Sequence, residues 1–205
     1  MKRSLGSAAA SEQREDFSVF ISCKENTESI LPINFNRSGR NPESRATEGE
    51  ISQMRSVVGS LQWIARQCRI FFQYRCSKLQ SVAPTAQVKH LEACNQILKE
   101  AKETANQVTL YKAGAFNFQE ALMITISDAS WANHENIIDD KVFPRRWQYG
   151  RITALAHPNL WNGDDGLIHI IGWKSGLIKR TCRSTFRAET RGMIYAKEAL
   201  DSFLP

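Results

Sequence analysis

Two carboxylates in this sequence lie at positions where a charge is costly. Asp128 ends an apolar run, residues 122–127, whose side chains alternate in type as those of a half-buried strand do. Glu189 lies three residues before Gly192 and seven before Ala196, on the apolar stripe of a predicted helix. A carboxylate in such a place needs a partner, and the pair together suggests a shared cation. Two unrelated surface or capping acids are the alternative.

Positive charge is concentrated in the same part of the chain. Six bases and one acid lie between residues 174 and 191, and the whole chain has a formal net charge of +6. A surface of this kind suits phosphate groups, so we take four bases as candidate nucleic-acid contacts: Lys174, Lys179, Arg180 and Arg183. A solvated face without a ligand explains the same charges equally well.

The first half of the chain predicts helices behind a linker. Residues 1–46 are polar, small or loop-forming, and we expect a flexible tail and linker with short extended pieces. Thr47 and Glu50 form a capping-box pattern, after which apolar residues recur at three- and four-residue steps. Further segments with the same three- and four-residue spacing of apolar residues follow, as far as residue 106. Residues 47–106 are therefore predicted to form three helices that bury their apolar stripes against one another.

The second half predicts strands and one helix. Four strand-like segments are separated by loops rich in Asn, Asp, Gly and Pro: residues 108–111, 122–128, 150–156 and 167–173. Sequential strands of this kind favour antiparallel pairing. Ser184 and Thr185 offer N-cap oxygens to a last helix, whose predicted buried stripe is Gly192, Met193, Ala196, Leu200 and Phe203. The predicted fold class is α+β, a helical segment followed by antiparallel strands and a helix.

Four motifs occur in an order that resembles one family. The segment SDASWA at residues 127–132 resembles the S-D-A-D-W-A segment in the ribonuclease H region of copia-type long-terminal-repeat retrotransposon polyproteins. IGWKS at 171–175 resembles that family's I-S-W-x-S strand, and CRSTFRAE at 182–189 resembles its L-S-S-T-E-A-E. Upstream, MRSVVGSLQWIARQCR at 54–69 is similar to the family's Y-R-x-x-V-G-x-L-x-Y-L-A-x-x-T-R-P-D at the end of reverse transcriptase. The resemblance covers about residues 50 to 203.

The resemblance implies a fold, an activity and a metal. It assigns residues 47–106 to the thumb or connection region of reverse transcriptase and residues 107–205 to the first half of a ribonuclease H-like domain. The activity of the parent polyprotein would be magnesium-dependent cleavage of RNA in RNA–DNA hybrids during reverse transcription. Asp128 and Glu189 would be its first two catalytic Mg²⁺ ligands.

The same comparison predicts that this fragment is inactive alone. The family has two further aspartates, in C-D-N-x-x-A and K-H-I-D segments, and both follow the helix that carries the glutamate. Two carboxylates do not readily hold the pair of hard cations that in-line hydrolysis uses. Ser130 also replaces the second acid of S-D-A-D-W, and Ile70 and Phe71 replace Pro-Asp. The alternative function is a non-catalytic nucleic-acid-binding or interaction module derived from the element.

Composition narrows the remaining classes of protein. The chain is 42% hydrophobic and 23% charged, as ordinary globular proteins are, and no apolar run approaches the ~20 residues that a bilayer requires. The five cysteines are far apart and predict buried reduced thiols. We therefore expect a cytoplasmic or nuclear protein with no membrane partner. An incomplete sheet would leave an open edge, which predicts self-association or binding to the rest of a polyprotein.

Overall fold

The computed structural model describes residues 18–130, 136–138, 141–143, 147–178, 182 and 184–203, with only the backbone of 136–138 and 141–143. The described helices are α1 (Lys24–Ser29), α2 (Glu48–Gln67), α3 (Gln73–Val82), α4 (Val88–Glu103) and α5 (Thr185–Asp201). The described strands are β1 (Val19–Ile21), β2 (Thr109–Tyr111), β3 (Leu122–Ser130), β4 (Asn136–Ile138), β5 (Lys141–Phe143), β6 (Gln148–Ala156) and β7 (Ile168–Leu177). The helices cluster in the first half and the sheets are antiparallel, which confirms the predicted α+β class.

Helices α1 to α4 form a helical unit around one hydrophobic core. The predicted capping box opens α2: Thr47 Oγ1 accepts from the Glu50 backbone N–H, and the Glu50 carboxylate accepts from the Thr47 backbone N–H at 2.8 Å. The apolar stripe behind it is fully buried, with Met54 and Leu61 both 0% exposed. These positions pack against stripes of α3 and α4. The prediction of three mutually packed helices in residues 47–106 is confirmed.

Residues 18–46 are not the flexible linker that the sequence suggested. Asn95 of α4 binds both backbone groups of Ile33: its Oδ1 accepts from the Ile33 N–H at 2.8 Å, and its Nδ2 donates to the Ile33 carbonyl at 2.9 Å. Ile30, Ile33 and Ala46 belong to the helical core. The loop composition was read correctly, but side chains distant in sequence fix the loop in place. Residues 1–17 of the predicted tail lie outside the described residues.

Strands β3, β6 and β7 form the main sheet, in the order β3-β6-β7 with every pair antiparallel. Alternating side chains predicted these strands, and β-branched residues such as Ile124, Ile126 and Ile152 occur in them. Strand β2 pairs with β1 instead of joining this sheet. Across the middle of the main sheet, Asp128 pairs with Gly150, and Gly150 pairs with Ser175.

Helix α5 packs on one face of the main sheet, chiefly over β3. Ser184 is the N-cap as predicted, since its Oγ accepts from the Arg187 backbone N–H at 3.3 Å. The buried stripe is narrower than predicted: its buried residues are Ala188, Gly192, Ala196 and Ala199. Met193 is 65% exposed and Phe203 is 45% exposed, so the prediction of these two as buried was wrong. Small residues face the sheet because they let the helix approach its backbone closely.

Among the described residues, two hydrogen bonds join the main sheet to the helical unit. The Trp173 indole N–H of β7 donates to the Ala65 carbonyl of α2 at 2.6 Å. Gln148 Nε2 of β6 donates to Ser77 Oγ of α3 at 3.2 Å. The face of the sheet opposite α5 is therefore the face that meets the helices.

Candidate functional site

Asp128 lies on the sheet face that meets the helical unit. Successive side chains of a strand point to opposite faces, so Asp128 shares its face with Ser130 and Ile126. Ser130 pairs across the sheet with Gln148, which bonds to Ser77 of α3. The prediction of Asp128 at the end of a buried strand was wrong in two respects: it is the seventh of nine residues of β3, and it is exposed. Its charge therefore requires no metal to compensate it.

Glu189 belongs to the opposite side of the sheet. It lies in the second turn of α5, beside the buried Ala188, and is itself half-buried. The residue of β3 that faces this helix is Ala129, because a Cβ on Gly192 would lie 3.5 Å from the Ala129 Cβ. Asp128 is the neighbour of Ala129 in the strand, so it points away from α5. The structure thus places the two predicted ligands on different faces.

These residues do not fit a magnesium site. A hard divalent cation of this kind needs several oxygen ligands converging at about 2.0–2.1 Å, and Mg²⁺ tolerates little distortion. Among the described residues, no group of three or more His, Cys, Asp or Glu side chains converges on a point. Asp128 and Glu189, separated by the sheet, do not supply a shared pair of ligands.

A groove lies instead between the Asp128 face of the sheet and the helical unit, and we call it the junction groove. Its volume is about 390 Å³. The residues that line it from the sheet include Ile126, Asp128, Gln148, Arg151, Ile152, Trp173, Lys174 and Ser175, and those from the helical unit are Ile70, Gln73 and Tyr74. Sequence reasoning missed this groove, since Gln73 and Tyr74 look like ordinary surface residues of a short helix. Their role depends on how the two units pack.

The predicted nucleic-acid contacts are only partly within the described residues. Lys174 is exposed on β7 and has no carboxylate partner in the described part of the chain, whereas Lys179, Arg180 and Arg183 lie outside it. Arg151 of β6 pairs directly across the sheet with Lys174, a contact that the sequence analysis missed. Two cations at directly opposite positions repel each other. An anion bound between them would relieve that repulsion. The sequence feature that could have indicated this pair is the alternation of side chains along the predicted strand that begins at Gly150.

The opposite face of the sheet is closed by aromatic packing under α5. The rings of Tyr149 and Tyr195 lie 4.7 Å apart between centroids. Burial raises the pKa of the Tyr149 hydroxyl above its ordinary value. Beside this packed region, on the same face by strand alternation, Arg151 is half-buried and Lys174 is exposed.

The chain matches no known protein family, no curated protein and no solved structure. Within the described residues, no helix is both long and apolar enough to span a bilayer.

Proposed function

We propose that this chain is a piece of a retrotransposon-type reverse transcriptase and ribonuclease H polyprotein, with a nucleic-acid-binding role and no catalytic activity of its own. The observation that carries the proposal is the order of elements after the helical unit. An antiparallel sheet in the order β3-β6-β7 is followed by a helix packed across β3. This is the arrangement expected for the opening of a ribonuclease H-like fold, and it supports the resemblance of the four motifs.

The parent activity would be magnesium-dependent cleavage of RNA in an RNA–DNA hybrid. Asp128 and Glu189 occupy the motif positions of two metal ligands, but their placement on different faces does not suit a shared cation. The described residues offer no third ligand to complete such a site. We therefore attribute binding to this chain, and assign metal-dependent hydrolysis to the parent protein.

Binding of a hybrid would depend on phosphate contacts. The net charge of +6 attracts a polyanion, and the adjacent Lys174 and Arg151 are suited to a phosphate oxygen. Lys179, Arg180 and Arg183 extend the same basic segment in the sequence. Such contacts recognise the backbone and give little sequence preference.

Fluorescence anisotropy with a labelled 18-base-pair RNA–DNA hybrid tests the binding. We expect the logarithm of the association constant to fall linearly as the logarithm of salt concentration rises, because phosphate contacts release counterions. Lys174→Ala should reduce the magnitude of this slope by about one. Lys99→Ala, which removes an exposed lysine from the helical unit, is the matched control and should leave the slope unchanged. A salt-independent affinity would refute the proposal.

A cleavage assay tests the catalytic half of the proposal. Purified chain is mixed with a hybrid labelled on its RNA strand in magnesium buffer, and no cleavage above background is expected. Cleavage that disappears in Asp128→Asn would show the chain to be an active nuclease, and the assignment of a binding role alone would then be wrong.

Association with other protein is a second candidate role, favoured by the outer face of α5. Phe186 is 82% exposed there, and Met193 and Ile194 are exposed beside it. Strand β3 is also the last strand of its sheet, so its outer edge has unpaired backbone groups among the described strands. We propose that this surface binds a second copy of the chain, and that the rest of the polyprotein would occupy it in the parent protein. Sedimentation over a range of concentrations tests the surface, since Phe186→Ser together with Met193→Ser should abolish any self-association.

A further inference from the structure

The floor of the junction groove combines three different chemical groups in one row. Asp128, Gly150 and Ser175 are successive partners across the sheet. They present, in order, a carboxylate, an uncovered stretch of backbone and a hydroxyl. A Cβ built on Gly150 meets no atom within 4 Å, so the middle of the floor is open. A flat group can therefore lie against the sheet between two polar side chains.

Aromatic rings border this floor. Tyr74 of α3 is 43% exposed and lines the groove from the helical side. Trp173 lines it from the sheet, and its hydrogen bond to the Ala65 carbonyl fixes the indole in position. Aromatic side chains on such walls bind planar ligands by stacking. The volume of about 390 Å³ is within the range of about 300–1,000 Å³ typical of small-ligand sites.

Two buried glutamines that line the groove have amide atoms without partners. Gln73 is 3% exposed, and neither its Oε1 nor its Nε2 has a hydrogen bond. Gln148 is 4% exposed; its Nε2 donates to Ser77 and Ser175, which leaves its Oε1 as an unpartnered acceptor. An unpaired buried polar group costs about 1–3 kcal/mol. Each of these atoms has less than 1 Å² of accessible surface, so a ligand in the groove reaches them only if a neighbouring side chain moves.

We propose that the junction groove binds a guanine base. A carboxylate only accepts hydrogen bonds, and guanine is the common base whose Watson–Crick edge offers two adjacent donors, N1–H and the 2-amino group. Asp128 accepts from both, and Tyr74 stacks on the ring. Adenine, cytosine and uracil each present an acceptor to the carboxylate beside their single donor group, and this repulsion excludes them.

This site does not require the proposed hybrid binding: Lys174 and Arg151 also line the groove, but the side chains proposed to bind the base, Asp128 and Tyr74, are not the proposed phosphate contacts. The base comes either from a free nucleotide or from an unpaired position of a nucleic-acid strand. Both sources present the same edge and the same ring. Guanine recognition is tested by the selectivity among nucleotides, whereas hybrid binding is tested by the salt dependence of its affinity.

Isothermal titration of the full chain with GMP, AMP, CMP and UMP tests the proposal. We expect GMP to bind at least about tenfold more tightly than each of the others, since the wrong edge places an acceptor against Asp128. Equal affinities for the four nucleotides would overturn the proposal, as would absence of binding by both GMP and the guanine strand described below. This selectivity is measured on the unaltered chain, so it does not depend on any variant folding.

Variants identify the groove as the site. Asp128→Asn replaces one acceptor by a donor and should weaken GMP binding by about tenfold or more, and Tyr74→Ala should weaken it by about tenfold through loss of stacking. Asp164→Asn makes the same chemical change in an exposed loop and is the matched control, with unchanged affinity expected. If the Asp128→Asn variant still preferred GMP, guanine would bind elsewhere, and the proposal that it binds in the junction groove would be refuted.

A second titration distinguishes the two sources of the base. A single-stranded octamer with one guanine among thymines is compared with an all-thymine octamer. Tighter binding of the guanine strand than of GMP, again lost in Asp128→Asn, indicates a base within a strand, and GMP binding without strand binding indicates a free nucleotide. Each of these two results supports the guanine site. Equal affinities for the two octamers, together with equal affinities for the four nucleotides, contradict the guanine site.

Discussion

Replacing Trp173 by phenylalanine should loosen the attachment of the sheet to the helical unit. The Trp173 indole N–H donates at 2.6 Å to the carbonyl of Ala65, which lies in the last turn of α2. Carbonyls in the last turn of a helix have no partner within the helix. Ala65 is 0% exposed, so without the indole its carbonyl would be a buried acceptor with no hydrogen bond. Trp173→Phe keeps an aromatic ring and removes this donor.

The expected loss follows from the hydrogen bond and the unpaired carbonyl. A hydrogen bond of this kind contributes about 0.5–1.5 kcal/mol, and an unsatisfied buried acceptor raises the cost toward 3 kcal/mol. We expect the free energy of unfolding to fall by about 2 kcal/mol, and the Tm to fall by about 4–8 °C for a chain of this size. Urea denaturation followed by far-ultraviolet circular dichroism measures the change without relying on tryptophan fluorescence.

A matched substitution separates this bond from the general effect of removing a tryptophan. Trp63 lies on α2 and is 47% exposed, and Trp63→Phe should change the free energy of unfolding by less than about 0.5 kcal/mol. Equal losses in the two variants would refute the role given to the Trp173 hydrogen bond. Because Trp173 also lines the junction groove, Trp173→Phe should weaken GMP binding as well.

Three further predictions concern other parts of the fold. Glu50→Gln should lower the free energy of unfolding by about 2 kcal/mol at pH 7, since Arg40 binds both carboxylate oxygens at 2.6 and 3.1 Å. The hydrogen bond from Arg40 lowers the pKa of Glu50, so the stabilisation is fully present above the pKa of an unfolded glutamate and is lost as the pH falls through the lowered value. Denaturation at pH 7 and in acid should therefore show the free energies of unfolding of the two proteins becoming equal in acid. Gly192→Ala should raise the Tm, because alanine favours helix by up to about 1 kcal/mol and its Cβ would make ordinary contacts at 3.5 Å; a lowered Tm would contradict the close but open packing of α5. Burial raises the pKa of Cys76 and Cys94 to about 12, so neither thiol should react with a disulfide reagent at pH 8 until the chain is denatured, as absorbance of the released thiolate would record.

Local patterns in the sequence predicted most of the elements. The Thr47–Glu50 capping box and its apolar repeat identified α2, because both depend on residues within one or two turns of each other. Alternation identified β3 and β6 in the same way. The segment before α2 was misjudged because Asn95, more than 60 residues away in the chain, supplies its hydrogen bonds. No local pattern contains that partner.

The candidate site was harder to predict than the fold. The sequence made Asp128 a candidate site residue, but its environment depends on which face of β3 meets which neighbour. The groove partners Gln73 and Tyr74 come from a short helix that the sequence placed in a separate region. Contacts between units leave no periodic signal in either one. Arg151 was missed for a related reason, since its partner Lys174 is identified only by the register of β6 and β7.

The choice between a metal site and a base-binding groove depends on the register of one strand. Shifting a strand by one residue turns every side chain to the other face, so such a shift would carry Asp128 toward α5 and Glu189. Two contacts oppose that shift. The hydroxyls of Thr125 and Thr153 lie 3.1 Å apart on the α5 face, and Ala129 faces Gly192 there. Because Ala129 faces Gly192 of α5 at this close approach, its neighbour Asp128 points to the other face, toward the groove.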